Sequence, residues 1–370
     1  MFLEEIKLSN FKNYSSTTLK VSNGINCFVG QNGMGKTNLL DAIYYLCMCK
    51  SNFGTNDRHL IKHEEGFFRL EGIFNATNDS DSPKQKIVAK VQSGKKKVIE
   101  KNDVPYKRLM EHIGFLPAVM IVPDDTRLVT EGSEDRRRFI DNTLSQSDRN
   151  YLEALMEYNK VLRHRNAALK AFAKENNFNQ TLLNTYNQQL VAPAKIIFEK
   201  RTTFIQSFEP LFLKYYQLIS DQAEPMGINY VSQLQEESLD ILLDKFQQKD
   251  SILQRTTAGI HKDDLKFTLD NYPLKQVGSQ GQIKSFVLAL QLAKYEVLKK
   301  EKGNKPILLL DDIFDKLDKQ RVTRLINLFI DEDFGQVFIS DTHQMRIQEI
   351  MESIRVEIRT FVVSNGAIGE

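Results

Sequence analysis

Gly30-Gln31-Asn32-Gly33-Met34-Gly35-Lys36-Thr37 fits the pattern G-x-x-x-x-G-K-[ST], the phosphate-binding loop that cradles a nucleoside triphosphate. Its surroundings are those the chemistry requires. Ile25-Asn26-Cys27-Phe28-Val29 reads as a short buried strand, and Asn38 to Cys49 as a helix rich in Leu, Ile and Tyr. Gly30, Gly33 and Gly35 let the backbone turn tightly and offer its N–H groups to phosphate oxygens, at a helix N-terminus whose dipole favours negative charge. Lys36 is placed to reach the β- and γ-phosphates and the Thr37 hydroxyl to ligate Mg²⁺, so a nucleoside triphosphate and Mg²⁺ are the expected ligands. A chance match in a glycine-rich turn has no reason to sit between a strand and a helix.

A magnesium nucleotide site also needs carboxylates opposite the loop. Pro306-Ile307-Leu308-Leu309-Leu310 reads as a second buried strand ending in Asp311-Asp312, and Gln336 to Ser340 as a third, one helix later. Asp311 at the strand's C-terminal edge can hold Mg²⁺ directly or through water, while Asp312 can position and deprotonate an attacking water. The loop lies near one end of the chain and these strands near the other. The nucleotide lobe is therefore expected to combine residues 1–122 with 283–370, around an inserted, mainly helical lobe at 123–282.

The inserted stretch carries helical seams. Leu155, Tyr158, Leu162, Leu169 and Phe172 recur at spacings of three, four and seven, as do Leu183, Tyr186, Leu190, Ile197 and Phe204. With Asn176 to Asn179 between them, the simplest reading is an antiparallel helical hairpin over about 148–220, with Pro193 kinking its second arm. Before the insertion, Phe2 to Ser22 reads as a strand pair. Phe68 to Phe74 and Lys86 to Val91 read as further strands, with Gln92-Ser93-Gly94 a turn and Lys95-Lys96-Lys97 opening the return strand, which together suggest an antiparallel sheet.

Composition excludes several classes. At 370 residues, 26% charged and 41% hydrophobic, the chain has the profile of a soluble protein of two lobes. No apolar run approaches the roughly 20 residues that cross a bilayer, and Met-Phe-Leu-Glu-Glu-Ile is unlike a signal peptide, so the expectation is a cytoplasmic protein with no membrane partner. Cys27, Cys47 and Cys49 read as reduced core thiols, and Cys47-x-Cys49 alone is too little for a metal site. His59 and His63 could share a helical face but lack a third ligand, and read as surface residues.

A net charge of +2 neither demands nor excludes nucleic acid, so only local clusters bear on it. If nucleic acid is a partner, the candidates for contact with its phosphates are Lys95, Lys96, Lys97, Arg136, Arg163 and Arg165. Arg136, Arg137 and Arg138 would point about 100° apart on a helix and cannot all serve one partner, so at least one is expected to pair with a carboxylate such as Glu134 or Asp141. No base-reading module is present, and sequence-specific binding is not expected.

Gly278-Ser279-Gln280-Gly281-Gln282 precedes an amphipathic helix, Ile283 to Lys299. Ser279 would cap it, and Gly281 would allow a close backbone approach. The segment resembles the Ser-x-Gly-Gln signature of the ATP-binding-cassette class. That likeness implies that Ser279, Gln280, Gly281 and Gln282 of one subunit cover the γ-phosphate held by another, and that Asp318, in Phe314-Asp315-Lys316-Leu317-Asp318, belongs to the dimer-interface loop.

Further motifs narrow the resemblance. Asn10-Phe11-Lys12-Asn13-Tyr14, Gly30 to Tyr44, Arg136-Arg137-Arg138-Phe139-Ile140-Asp141, Val161-Leu162-Arg163-x-Arg165-Asn166, His261-x-Asp263-Asp264-Leu265 and Gly278 to Gln282 are similar, in order and spacing, to the RecF family, bacterial recombination-repair ATPases related to SMC heads. The resemblance covers nearly the full length. It implies an α/β fold of the ABC-type P-loop ATPase head, with a mixed sheet, an antiparallel β subdomain and an inserted helical second lobe. It implies that Gly30, Gln31, Asn32, Gly33, Met34, Gly35, Lys36, Thr37 and Asn38 hold ATP together with Lys12 and Asn13. It further implies an ATP-dependent homodimer on duplex or gapped DNA, weak hydrolysis that resets it, and RecO- and RecR-type mediator partners in loading recombinase.

Two departures stand out. The residue after the magnesium Asp is Asp312 where the cassette class has Glu, one methylene longer, and slow turnover is expected. His343 falls two residues late for the class's switch His, which leaves that role open between Asp341 and His343. Two other readings compete: a stand-alone SMC-like head of another family, although true SMC proteins carry hundreds of heptad residues that this chain lacks, and the energising subunit of a transporter, against which the helical hairpin and basic clusters speak.

Overall fold

Alternation of apolar and polar residues builds the first sheet, and a run of uninterrupted apolar strands builds the second. The computed structural model describes residues 1–76, 83–220, 224–313, 319–332, 334–342 and 358–369. Its contacts divide into two compact units: Met1–Asp125 with Leu218–Ser220 and Leu288–Glu370, and Thr126–Gln217 with Asp221–Val287.

In chain order the first unit opens with β1 (Phe2–Phe11), β2 (Tyr14–Lys20), β3 (Ile25–Val29), α1 (Lys36–Met48), β4 (Phe67–Asn75), β5 (Gln85–Gln92), β6 (Val98–Lys101), β7 (Val104–Pro105) and β8 (Ala118–Ile121). The chain then runs through α2 (Arg127–Thr130), α3 (Ser133–Ser147), α4 (Arg149–Glu175), α5 (Gln180–Ser220), β9 (Met226–Val231), α6 (Leu239–Lys245), α7 (Gln247–Leu253), β10 (Asp264–Leu269), β11 (Tyr272–Pro273) and α8 (Leu274–Val277). It returns through α9 (Gln280–Lys302), β12 (Ile307–Leu310), α10 (Lys319–Asp331), β13 (Val337–Asp341), β14 (Ile358–Ser364) and β15 (Ala367–Gly369).

The first unit holds two six-stranded sheets. One, in the order β2-β1-β4-β5-β6-β7, is antiparallel throughout. Leu3, Ile6, Leu8 and Phe11 of β1 are buried, and a register shift between Leu3 and Glu5 explains why the first two stand three apart rather than two. The other sheet, in the order β15-β14-β3-β13-β12-β8, has parallel neighbours from β14 to β8. Every residue of β3, β8, β12 and β13 is buried, as strands covered on both faces must be. α1 packs its Leu39, Leu40, Ile43 and Leu46 into the core that these sheets share.

The second unit is helical with a three-stranded antiparallel sheet, β11-β10-β9. Asp148 caps α4 by accepting from the Tyr151 N–H at 3.0 Å, and Asn176 ends that helix in the left-handed region at φ 48°, which Asn tolerates better than most residues. α5 is helical without a break across both Pro193 and Pro210.

The observed seam of α4 departs from the expected one. Tyr151, Ala154, Tyr158, Val161, Arg165, Ala168 and Leu169 are buried, whereas Leu155, Leu162 and Phe172 are only half-buried. Apolar spacing alone missed a helix face that buries an arginine. Similarly β6 begins at Val98 rather than at Lys95, because Lys95 to Lys97 belong to the turn that precedes it.

Candidate functional site

Parallel strands put their C-terminal ends on one edge, and that edge gathers the polar residues of the first unit. The loop Gly30–Gly35 leaves β3, Ser340 and Asp341 end β13 beside it, and Asp311 follows β12 one strand further on. The Gly30 N–H donates to the Asp341 carbonyl at 3.3 Å, joining the loop to the middle strand. Thr37 Oγ1 lies 2.9 Å from each oxygen of the Asp311 carboxylate, although 274 positions separate them. Lys36, only 4% exposed, donates its ammonium to the Gly30 and Gln31 carbonyls at 2.7 and 3.2 Å and makes no ion pair with a described carboxylate.

Ser340 was not a candidate from sequence, yet it organises both carboxylates. Its Oγ donates to Asp311 Oδ1 at 2.8 Å and accepts the Asp312 N–H at 2.9 Å. Its place at the end of the third buried strand was the only signal available. Asp312 adopts φ 44°, in the left-handed region, and its Oδ1 lies 3.3 Å from Ser340 Oγ. Burial raises the Asp311 carboxyl above its ordinary value, against the hydrogen bonds from Ser340 and Thr37, and the neighbouring Asp312 adds to the rise.

The turn between β1 and β2 buttresses the loop. Asn13 Nδ2 donates to the Met34 carbonyl at 3.0 Å, its Oδ1 accepts from Asn38 Nδ2 at 2.7 Å, and Tyr14 donates to the Gly35 carbonyl at 3.1 Å. A Cβ on Gly35 would stand 2.5 Å from Asn13 Nδ2, at φ 114°, so this position needs glycine both for its conformation and for the approach of Asn13. A Cβ on Gly30 would lie 2.3 Å from the Val363 carbonyl of β14. Lys12 turns instead to Asp41, its ammonium 2.9 Å from a carboxylate that also accepts from Ser51 and the Asn52 N–H. Gln31, Asn32 and Gly33 are exposed at the tip.

In the second unit Ser279 and Gln282 close a capping box at the start of α9. The Gln282 N–H donates to Ser279 Oγ at 3.2 Å and the Ser279 N–H to Gln282 Oε1 at 2.7 Å. Gln282 Nε2 donates to Glu224 at 2.7 Å, which fixes the side chain's orientation. Ser279 and Gln280 remain exposed, and Gly281 is half-buried. The Ser279 hydroxyl accepts within the box and keeps its own O–H to donate elsewhere. Asp318 and His343 lie outside the described residues; Asp341 is buried at the end of β13.

Three of the proposed DNA contacts are committed internally. Arg136 is paired with Asp264, Nε to Oδ1 at 2.6 Å, and also donates to the Leu128 and Glu131 carbonyls. Arg165 is fully buried, with Nη1 2.7 Å from Asp250 and Nε 2.8 Å from Asn187 Oδ1, tying α4 to α5 and α7. Lys97 lies 2.8 Å from Asp57 and donates to the Cys49 carbonyl at 2.7 Å. Each correction has the same cause: a nearby carboxylate that sequence spacing could not reveal. Lys95, Lys96 and Arg163 are exposed. Within the arginine triplet Arg138 pairs with Glu134, while Arg137 donates to Ser133 and the Asp263 carbonyl.

Asp141 belongs to a buried charge cluster around Arg201, which sequence reading did not single out. Arg201 lies 2.8 Å from Asp141 and 2.6 Å from Asp263, and donates to the Tyr151 hydroxyl and the Ile260 carbonyl. His261, from the His261-x-Asp263 motif, is likewise held inside the unit. Its Nε2 donates to the Thr256 carbonyl at 3.0 Å and its Nδ1 pairs with the Tyr158 hydroxyl at 2.8 Å, while burial lowers its pKa to about 4. The arginine and histidine motifs of this unit are thus its internal framework. The three cysteines are free and buried, with the Cys49 thiol pushed up to about 12 by burial. Among the described residues there is no cluster that could hold a metal through His, Cys, Asp and Glu alone, and no helix long and apolar enough to cross a membrane.

The whole chain has relatives. Structures of RecF with ATP and with ATPrS, described as a recombination mediator protein in the RecFOR pathway, superpose with a TM-score of 0.87 at 30% and 29% identity, covering 100% and 99% of this chain and 97% of each of theirs. An Smc head domain from Pyrococcus furiosus, 18% identical with a TM-score of 0.55, shares the fold. The DNA replication and repair protein RecF of Flavobacterium johnsoniae is 45% identical over 361 residues, 98% of this chain and 99% of that one, and its counterpart from Bacteroides thetaiotaomicron is 40% identical over 370 residues, 100% of this chain and 99% of that one. With the profile of the RecF/RecN/SMC N-terminal domain also matching residues 2–366, the chain belongs to the RecF family.

Proposed function

We propose that this protein is an ATP-dependent DNA-binding protein of replication and recombinational repair, in which ATP joins two copies on duplex or gapped DNA and slow hydrolysis releases them. The observation that carries it is the meeting of Thr37 with both oxygens of Asp311 beside a lysine held only by loop carbonyls. Lys36 is ready to exchange those carbonyls for phosphate oxygens. Loop N–H groups and the N-terminus of α1 receive the remaining phosphate charge.

The donors fit magnesium: a hydroxyl and a carboxylate are hard oxygen ligands that already converge, as the ion prefers. When bound, Mg²⁺ neutralises charge on the β- and γ-phosphates. Asp312, held through its N–H by Ser340, orients and deprotonates the water. Its shorter arm than Glu suits slow turnover. Ser279 to Gln282, capped and partly exposed, supply from a second copy the donors that close the site over the γ-phosphate. RecO- and RecR-type mediators and a cytoplasmic location complete the reading, which the RecFOR description of similar proteins supports.

Binding of the purified protein to labelled duplex, single-stranded and gapped DNA, with and without ATP, tests it. Retention that requires ATP and weakens with salt is expected. Equal or absent retention in both conditions contradicts it.

A further inference from the structure

An open cavity of about 520 Å³ in the first unit is lined by Lys12, Arg58, His59, Lys62 and His63 together with Ile61 and Ser93, and Glu65 is the only carboxylate in its lining. Lys12 is neutralised by Asp41, and Glu65 accepts from Asn10. Arg58 and Lys62 have no described carboxylate within ion-pairing distance: Arg58 Nε donates to His59 at 3.2 Å and Lys62 to the Ser15 hydroxyl. The same holds for Lys95 and Lys96, exposed in the turn that follows Ser93. Two basic segments distant in sequence therefore share one surface.

The fold fastens them together. Lys97 ends the basic turn and pairs with Asp57, which begins the short helical turn Asp57–Leu60 that carries Arg58 and His59. Lys97 also lies over the Tyr45 ring at 5.4 Å, while Tyr45 donates to Asp57 at 3.0 Å. The least exposed lysine of the triplet thus spends its charge on positioning the other two.

We infer that Arg58, Lys62, Lys95 and Lys96 form a docking surface for the phosphodiester backbone of nucleic acid, with Lys97 and Asp57 as positioning residues. A single phosphate is held by buried donors that converge on one point, whereas these four cations are accessible and spread over two segments, as a polyanion requires. The inference rests on the DNA-binding reading above and names where on the first unit the contact is made.

The test uses the full chain with ATP and a labelled duplex over a range of salt. Replacing Arg58, Lys62, Lys95 and Lys96 together by Ala is expected to lower affinity at low salt at least about tenfold and to reduce the slope of log affinity against log salt by about 0.9 for each lost phosphate contact. Nucleotide affinity and thermal midpoint should stay as in the unmodified protein. Asp57→Asn keeps all four cations and makes the surface more positive, so charge alone would tighten DNA binding, while loss of the fastening loosens it, by about threefold on the present account. An unchanged slope in the quadruple variant, tighter binding by Asp57→Asn, or displacement of the duplex by millimolar inorganic phosphate at constant ionic strength each overturn the inference. If the unmodified protein holds no DNA, the DNA-binding reading itself fails and this surface fails with it.

Discussion

The phosphate-loop edge and the charged core of the helical unit are built from the same residue types, and they use them in opposite ways. At the edge, Lys36 is buried and its ammonium donates to backbone carbonyls rather than to a carboxylate, and Thr37 rests on Asp311. In the helical unit Arg136, Arg165 and Arg201 each meet a carboxylate at 2.6–2.7 Å. A cation with its counter-ion in place is part of the framework. A buried one without it is poised for a ligand that brings the charge.

That contrast can be broken by mutation, and the largest effect belongs to the core. Arg201→Met leaves Asp263 buried without its counter-ion and Asp141 half-buried without its own, and about 3–5 kcal/mol of stability should be lost in urea unfolding. A loss below about 1 kcal/mol would show that the cluster is not the framework described. Next comes pH. His261 has a folded-state pKa near 4 against an ordinary value of 6.5, so the unfolded chain takes up the proton first. Stability should be full above that ordinary value and fall as pH drops from 6.5 to 4. At its limit His261 contributes about 3 kcal/mol to this fall, and His261→Gln should flatten the unfolding curve over that window by the same amount.

At the edge the effects shift from stability to binding. Lys36→Ala should weaken ATP binding about a hundredfold, near 2.8 kcal/mol, while changing unfolding stability by less than about 1 kcal/mol. A stability loss as large as that of Arg201→Met would erase the distinction between the two regions. The smallest expected effect is that of Ser340→Ala, about 1 kcal/mol, which should appear as a several-fold drop in magnesium-dependent turnover with nucleotide binding retained. Turnover equal to that of the unmodified protein would leave Ser340 without the organising role assigned to it.

Much of this was legible in the residues. The octapeptide at Gly30, the strand before it and the apolar run ending at Asp311 report local requirements of backbone and burial, and the structure builds them as read. The capped start of α9 was legible for the same reason, since Ser279 and Gln282 act within one helical turn. Charge partners were not. Arg165 and Asp250 are 85 positions apart, Arg136 and Asp264 128 apart, and no periodicity connects them. Asn13 and Tyr14 likewise reach the loop only because β1 and β2 fold back beside it, where they brace its backbone. The basic triplet shows both outcomes at once, with Lys97 internal and Lys95 and Lys96 exposed.

The central claim is that the loop at Gly30–Thr37 is half of a site that Ser279 to Gln282 of a second copy completes. Sedimentation of the Asp312→Asn protein, with and without ATP and Mg²⁺, tests it most directly, because the substitution should leave ATP binding intact and block release by hydrolysis. The account predicts monomers without ATP, dimers with it, and monomers that still bind ATP when Ser279→Arg is added. ATP-loaded Asp312→Asn protein that stays monomeric, or dimers indifferent to Ser279→Arg, would contradict it.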